Sequence, residues 1–278
     1  MTIQAEIDTY LRTGHADMSG AAWPGNTLGD RAPRAKLERT DALVAEVQRR
    51  ASSCTITHDI SHVDTVALTR SKVEPMVRGL FPADEQDLVL SVLERSVVFI
   101  TAEALAPVLL SARWPRTAWK LANLYLASIG ADLLADDAPD IVGMSEETTC
   151  YVSPAYFAEE DPFADFVVHE AAHIFHNCKR TMIGLPEKRR QEWLLPIAFR
   201  RRETFAYACE AYSRILTRGG NLMERRLLAE EYGALFSPAD DRVDAEELRD
   251  IVTEAASARN GWQRILRRCA LAPRCNNA

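Results

Sequence analysis

Most of the chain shows the spacing of apolar residues that is typical of helices packed on a core. Residues 115–134 are apolar over much of the helical circumference, which predicts a central and buried helix. Residues 1–33 carry several glycines and prolines without a regular apolar period, so an irregular start is expected. Residues 51–83 are ambiguous. The other predicted helices cover residues 35–50, 84–113 (broken or kinked at Pro107), 161–178 (capped by Asp161), 186–218 (bent near Pro196), 221–235 and 244–269.

A short segment between two of these helices has the pattern of β-strands. Residues 141–144 and 148–153 form two short runs that read as strands, and the polar residues 145–147 between them suit a turn. The predicted fold is therefore mainly α with a small β-hairpin, in the α+β class. We divide the chain into a mostly helical N-terminal region, 1–113, whose role stays open, and a second region, 114–278, which carries the chemistry described below.

The composition excludes several classes of function. A net charge of −7 argues against a nucleic-acid-binding protein, which needs clustered positive charge. No apolar run reaches the roughly 18 residues of a membrane span, so no membrane partner is expected. The 6 cysteines are scattered and no secretory signal is visible at the start. These features favour a cytoplasmic protein.

The segment His169-Glu170-Ala171-Ala172-His173 carries the strongest chemical signal. Residues four apart on a helix share a face, so His169 and His173 can direct ring nitrogens at one zinc ion. Zinc lowers the pKa of a water that it binds, and Glu170, beside the pair, can act as general base. Most neighbouring positions are apolar, where ionisable side chains are costly unless they are paired or metal-bound. A polar stripe facing solvent is the alternative interpretation.

A catalytic zinc needs a third protein ligand, and three glutamates are candidates. Glu203 ranks first because it lies in a regular, largely apolar helix, where a lone carboxylate is not expected unless it has a role such as binding an ion. Glu192 follows a polar stretch that looks solvated, and it ranks second. Glu210 shares a helix face with Glu203 and could instead hydrogen-bond a ligand histidine. His176 is a poor ligand, because its level on the helix is about 10 Å from His169.

Two other signals are weaker. His58 and His62 also stand four apart, but no glutamate follows the first of them and the helical context is poor, so a surface loop is favoured over a second metal site. The acidic run at residues 159–161 could suggest paired catalytic carboxylates. Its position at a predicted helix start gives a simpler explanation, since negative charge is favourable there.

The His169–His173 segment, followed by a glutamate on a downstream helix, resembles the zincin metallopeptidases, and specifically the gluzincins. The spacing from His173 to Glu192 coincides with that of the gluzincin aminopeptidases, whose second motif and exopeptidase signature are missing here. The order of elements is similar to the gluzincin core of backing helix, edge strand, active-site helix and glutamate helix: residues 115–134, 141–153, 161–178 and 197–218.

The resemblance implies a zinc-dependent hydrolase that cleaves a peptide or protein substrate. Its zinc ligands would be His169, His173 and Glu203, with Glu170 as general base. It also implies that residues 148–153 form the edge strand, to which an extended peptide could add. A zincin-derived binding or regulatory protein without turnover is the alternative function. The candidates to stabilise an oxyanion are Tyr151, Tyr156, Tyr207 and Tyr212.

Overall fold

The computed structural model describes residues 2–55, 58–139, 141–188, 191–235 and 240–271. Helices dominate this part of the chain and one small mixed sheet accompanies them, so the mainly α fold with a small β element is confirmed. None of these helices is long and apolar enough to cross a membrane. The strands are β1 (Val97–Phe99), β2 (Gly143–Glu146) and β3 (Thr149–Val152). The helices are α1 (Ile3–Thr13), α2 (Leu28–Ala51), α3 (Thr65–Leu80), α4 (Ala83–Leu93), α5 (Ala102–Ser111), α6 (Pro115–Ser128), α7 (Phe166–Asn177), α8 (Arg202–Arg218), α9 (Leu222–Leu235), α10 (Ala245–Ser257) and α11 (Gly261–Cys269).

The first of two compact units comprises Met1–His62, Phe99–Met144 and Ser153–Phe157. Its central helix is α6, which packs against α2 and α5. Most α6 side chains are buried, as the apolar pattern predicts. The indole nitrogen of Trp119 donates to the carbonyl of Leu11 at 2.8 Å and so fixes α1 on this helix.

The predicted irregular start is wrong, because residues 1–33 contain α1 and the first turns of α2. The Thr2 side chain caps α1 by accepting from the backbone N–H of Ala5 at 3.2 Å. Gly14 ends α1 with a φ of 69°, a left-handed conformation that favours glycine.

The second unit comprises Val63–Val98, Ser145–Val152 and Ala158–Ala278. Helix α8 is its centre and packs against α7, α9, α10, α11 and α3. Helix α7 also packs against α3 and β3. Because α3 and α4 belong to this unit, its limits do not coincide with a division of the chain at residue 113.

The sheet has the order β1-β3-β2, so β3 is its central strand. The predicted hairpin is confirmed as β2 and β3, but the expectation that residues 148–153 form the edge strand is wrong. The cause is β1, which lies within residues 84–113, where a helix with a break was predicted. That stretch is α4, β1 and α5, and α5 contains Pro107.

Three helix boundaries in the second unit differ from the prediction. Helix α7 begins after Asp165, whose carboxylate accepts from the N–H of Val168, rather than after Asp161. The described residues between 186 and 198 are not helical, because their N–H groups bond elsewhere: that of Leu195 donates to the Phe175 carbonyl at 2.8 Å. Helices α10 and α11 replace the single helix predicted at 244–269, since Asn260 caps a new start.

A buried ion pair joins α4 to the loop after α7. The Arg180 side chain is fully buried, and its guanidinium donates to both carboxylate oxygens of Glu85, at 3.1 and 2.7 Å. Lys188 also contacts this carboxylate. The hydrogen bonds from Arg180 hold the pKa of Glu85 below its usual range. Removing one partner of a buried pair leaves an uncompensated charge, which is costly.

We expect Arg180→Met to lower the free energy of unfolding by about 3 kcal/mol, because Glu85 stays buried without its main partner. Urea denaturation followed by circular dichroism measures this loss. Arg78→Met is the matched control, since Arg78 pairs with Glu74 on the exposed face of α3. Its cost should be at most about 1 kcal/mol. Equal losses in the two variants would contradict the structural role of Arg180.

Candidate metal centre

Two facing helices build the site. On α7, His169 and His173 lie four residues apart and therefore on one face. On α8, Glu203, Tyr207 and Glu210 follow at four and seven residues and also share a face. The helices run antiparallel, because the first glutamate lies beside the second histidine and the last glutamate beside the first histidine. Of the predicted ligands, the structure therefore brings His169, His173 and Glu203 together.

Three side-chain atoms converge at this point. The Nε2 atoms of His169 and His173 are 3.2 Å apart. The Oε2 atom of Glu203 is 3.3 Å from Nε2 of His173 and 3.9 Å from Nε2 of His169. Ligand atoms at about 2.1 Å from a tetrahedral zinc lie about 3.4 Å from one another, so two imidazoles and a carboxylate at these distances fit that ion.

Comparisons with known proteins find no match for this chain. No protein-family model matches it, and no curated protein or solved structure is significantly similar to it.

Glu210 supports the first histidine. Its Oε2 accepts from Nδ1 of His169 at 2.9 Å, and its Oε1 accepts from the backbone N–H of Asp165 at 2.7 Å. The Asp165 carboxylate is buried and lies 2.6 Å from the Nζ of Lys72 on α3. The contact with Glu210 orients the ring so that Nε2 of His169 faces the other two ligand atoms. Such outer carboxylates orient metal-bound histidines in general.

The carboxylates around His169 also determine its charge. Burial opposes protonation of the ring, but the hydrogen bond with Glu210 and the charges of the three nearby glutamates raise its pKa to about 9. At neutral pH and without a metal, both ring nitrogens therefore carry a proton and the ring is positively charged. A metal ion must displace one of these protons, as is usual for histidine ligands.

Glu170 lies in the first half of α7, next to the first ligand. Its side chain is 7% exposed, and burial raises the pKa of its carboxyl, while the charges of His169 and His173 oppose that shift. A general base works best when its pKa is near the working pH. The surroundings of Glu170 therefore shift its pKa in the direction that proton transfer near neutral pH requires.

Arg242 is a member of the site that the sequence did not predict. Its Nη2 lies 3.1 Å from Oε1 of Glu203, the oxygen that points away from the histidines. Burial opposes ionisation of Glu203, but His173, His169 and Arg242 together keep its pKa below the usual value. The carboxylate of Asp240 accepts from the Nε of the same guanidinium and also contacts its Nη2. Arg242 lies in a loop before α10, and no motif or periodicity marks it.

The four candidate tyrosines have different surroundings. The ring of Tyr207 meets the ring of His169 edge-on, with centroids 4.6 Å apart. Tyr151 alternates on β3 with Cys150, whose thiol interacts with Glu170, so Tyr151 lies on the opposite face of the strand. Tyr156 packs against Phe99 in the first unit. Tyr212 accepts from the N–H of Gly261 and its ring meets the ring of Trp262 edge-on, which ties α8 to α11. Tyr207 therefore lies beside a predicted ligand.

The remaining predicted residues lie outside the cluster. The Glu192 carboxylate is half-exposed and pairs with Lys179 at 2.6 Å. His58 hydrogen-bonds the Ser128 carbonyl, and no second metal-capable group is found in the described ranges. His176 does not join the ligand atoms, although it contacts His173. Burial lowers the pKa of His176 to about 3, so this ring is neutral.

Proposed function

We propose that this chain is a zinc-dependent hydrolase that cleaves peptide bonds. The observation that carries the proposal is the convergence of His169 Nε2, His173 Nε2 and Glu203 Oε2 within 3.2–3.9 Å of one another. A buried glutamate follows the first of these ligands directly in the chain. The resemblance of the His-Glu-x-x-His segment to zincins supports peptides as the substrate class.

Each residue of the site has a role in this proposal. His169, His173 and Glu203 would hold the ion, which when bound supplies a Lewis acid and acidifies water. Glu170 takes a proton from the attacking water and passes it to the leaving amine nitrogen. Glu210 keeps the His169 ring in its binding orientation.

The strand order limits where an extended substrate could join the sheet. β3 is already paired on both sides, so a peptide that extends the sheet would pair with an outer strand, β1 or β2. The Arg242 side chain is largely exposed beside Glu203 and also pairs with Asp240, so it offers hydrogen-bond donors to a substrate rather than net positive charge. Tyr207, at the His169 ring, can donate to an oxyanion in the same place.

Metal removal tests the proposal. The purified chain should contain about one zinc per molecule, because the residues that the structure describes include one group of three ligands. Dialysis against a chelator should abolish cleavage of a peptide library, and added zinc should restore it. Metal analysis and mass spectrometry of the peptides measure both effects.

Two outcomes would contradict parts of this proposal. Cleavage that persists in the metal-free protein would exclude a role of zinc in the reaction. Tight zinc binding without cleavage of any peptide would favour the alternative function, a zincin-derived protein that binds partners without turnover.

A further inference from the structure

The second histidine of the metal cluster, His173, contacts another histidine that is not itself one of the three ligands. Nδ1 of His173 lies 3.0 Å from Nε2 of His176, and Nδ1 of His176 lies 3.1 Å from Oδ1 of Asn177. The amide nitrogen of Asn177 donates to the hydroxyl of Ser145 on β2 at 3.3 Å. Four side chains thus form a continuous hydrogen-bonded chain from the metal cluster to the sheet.

The direction of each hydrogen bond in this chain follows from the need of His173 to bind the ion through Nε2. A histidine that binds an ion through Nε2 must keep a lone pair there, so His173 carries its proton on Nδ1. That N–H donates to His176, whose Nε2 is then the acceptor. A neutral His176 consequently carries its proton on Nδ1 and donates to the Asn177 carbonyl oxygen, which accepts.

The opposite direction is incompatible with metal binding. If Nε2 of His176 donated, Nδ1 of His173 would be the acceptor and its proton would sit on Nε2, facing Glu203. In that arrangement a neutral His176 would have an unprotonated Nδ1, which needs a donor. Asn177 disfavours this, because the atom it presents to Nδ1 is the carbonyl oxygen Oδ1, an acceptor, and its amide nitrogen donates to Ser145. The chain therefore selects one tautomer of His173.

We propose that His176 is a positioning residue that holds His173 in the Nδ1–H tautomer, with Nε2 available to the ion. The inference rests on the proposed metal site and adds a function for a residue that binds no ion itself. The two ligand histidines then differ in support, since a carboxylate orients His169 and a neutral imidazole orients His173. His176 is 4% exposed, so bulk water does not compete for its contact with His173.

Zinc affinity in two variants tests this role. His176→Leu removes the acceptor and should weaken Zn²⁺ binding about 10–100-fold, the usual effect of losing an outer partner. His176→Gln keeps an acceptor oxygen and should recover most of the affinity. Competition with a chromophoric chelator measures the Kd. The thermal midpoints of the metal-free variants separate loss of positioning from loss of fold. If only positioning is lost, the midpoint of His176→Leu stays near that of the wild type, whereas a damaged fold lowers it.

A measurement on the wild-type chain keeps the inference testable if His176→Leu does not fold. Long-range ¹H–¹⁵N correlation spectra of the zinc-loaded protein report which ring nitrogens carry protons, and both His173 and His176 should appear as Nδ1–H tautomers. Unchanged zinc affinity in folded His176→Leu, or a proton on Nε2 of His176, would overturn the inference while leaving the metal site intact. A wild-type chain that binds no Zn²⁺ would instead contradict the proposed function.

Discussion

Glu170→Gln is expected to reduce kcat for peptide hydrolysis by about 10²–10⁴-fold while zinc binding is unchanged. The amide has nearly the same shape as the carboxylate but cannot accept the proton of the attacking water. Glu170 is not among the three converging ligand atoms, so its replacement should spare the Kd for zinc. Steady-state kinetics with a cleavable peptide and metal analysis of the same preparation measure the two quantities.

Glu160→Gln is the matched control for this substitution. Glu160 is exposed in the acidic segment before α7, and its replacement by glutamine removes the same charge as Glu170→Gln does. In that segment, Asp161 accepts from the N–H of Phe163 at 2.8 Å, which supports a turn rather than a pair of catalytic carboxylates. The control should retain full activity. A Glu170→Gln enzyme as active as this control would remove Glu170 from the mechanism.

The local part of the site could be predicted from the sequence. The four-residue spacing of His169 and His173, and the seven-residue spacing of Glu203 and Glu210, fix which side chains share a helix face once each helix is assumed. The apolar neighbours of these residues indicate that the faces are buried. That information sufficed to rank Glu203 above Glu192, in agreement with the positions that the structure assigns to the two side chains.

The tertiary part of the site could not be predicted in this way. Leu194, Leu195 and Ile197 have apolar spacing that suits a helix, yet the N–H groups of the first two bond to carbonyls of Cys178 and Phe175. Tertiary contacts therefore override local preference there. Arg242 reaches Glu203 from a distant loop, and no periodicity encodes such a contact.

The order of the strands in the sheet also could not be predicted from the sequence. β3 was predicted from its own residues, but whether a strand is central or at an edge depends on its neighbours. β1 is three residues long and lies between two helices, so its short apolar run merged with the helical pattern around it. A strand this short provides too few residues for alternation to be distinguished from helical spacing.

The three candidate third ligands should separate clearly when each is replaced by alanine. Glu203→Ala removes a ligand and should abolish hydrolysis, with a loss of zinc affinity greater than the roughly 10–100-fold that an outer partner causes. Glu210→Ala should fall within that range, because His169 keeps its nitrogen but loses its orienting carboxylate. Glu192→Ala should bind zinc as the wild type does, since its carboxylate pairs with Lys179 at the surface.

This order of effects is specific to the arrangement of the two helices. Chelator competition gives the three affinities, and circular dichroism of the metal-free variants verifies that each folds. If Glu192→Ala lost zinc while Glu203→Ala retained it, the ligand would come from the loop after α7 rather than from α8. If Glu210→Ala showed the largest loss, its carboxylate would bind the ion directly, and the hydrogen bond that it accepts from His169 would have to break on metal binding. Glu203 is favoured because its Oε2 already lies 3.3 Å from His173 Nε2, on the side of the cluster that Glu210 does not reach.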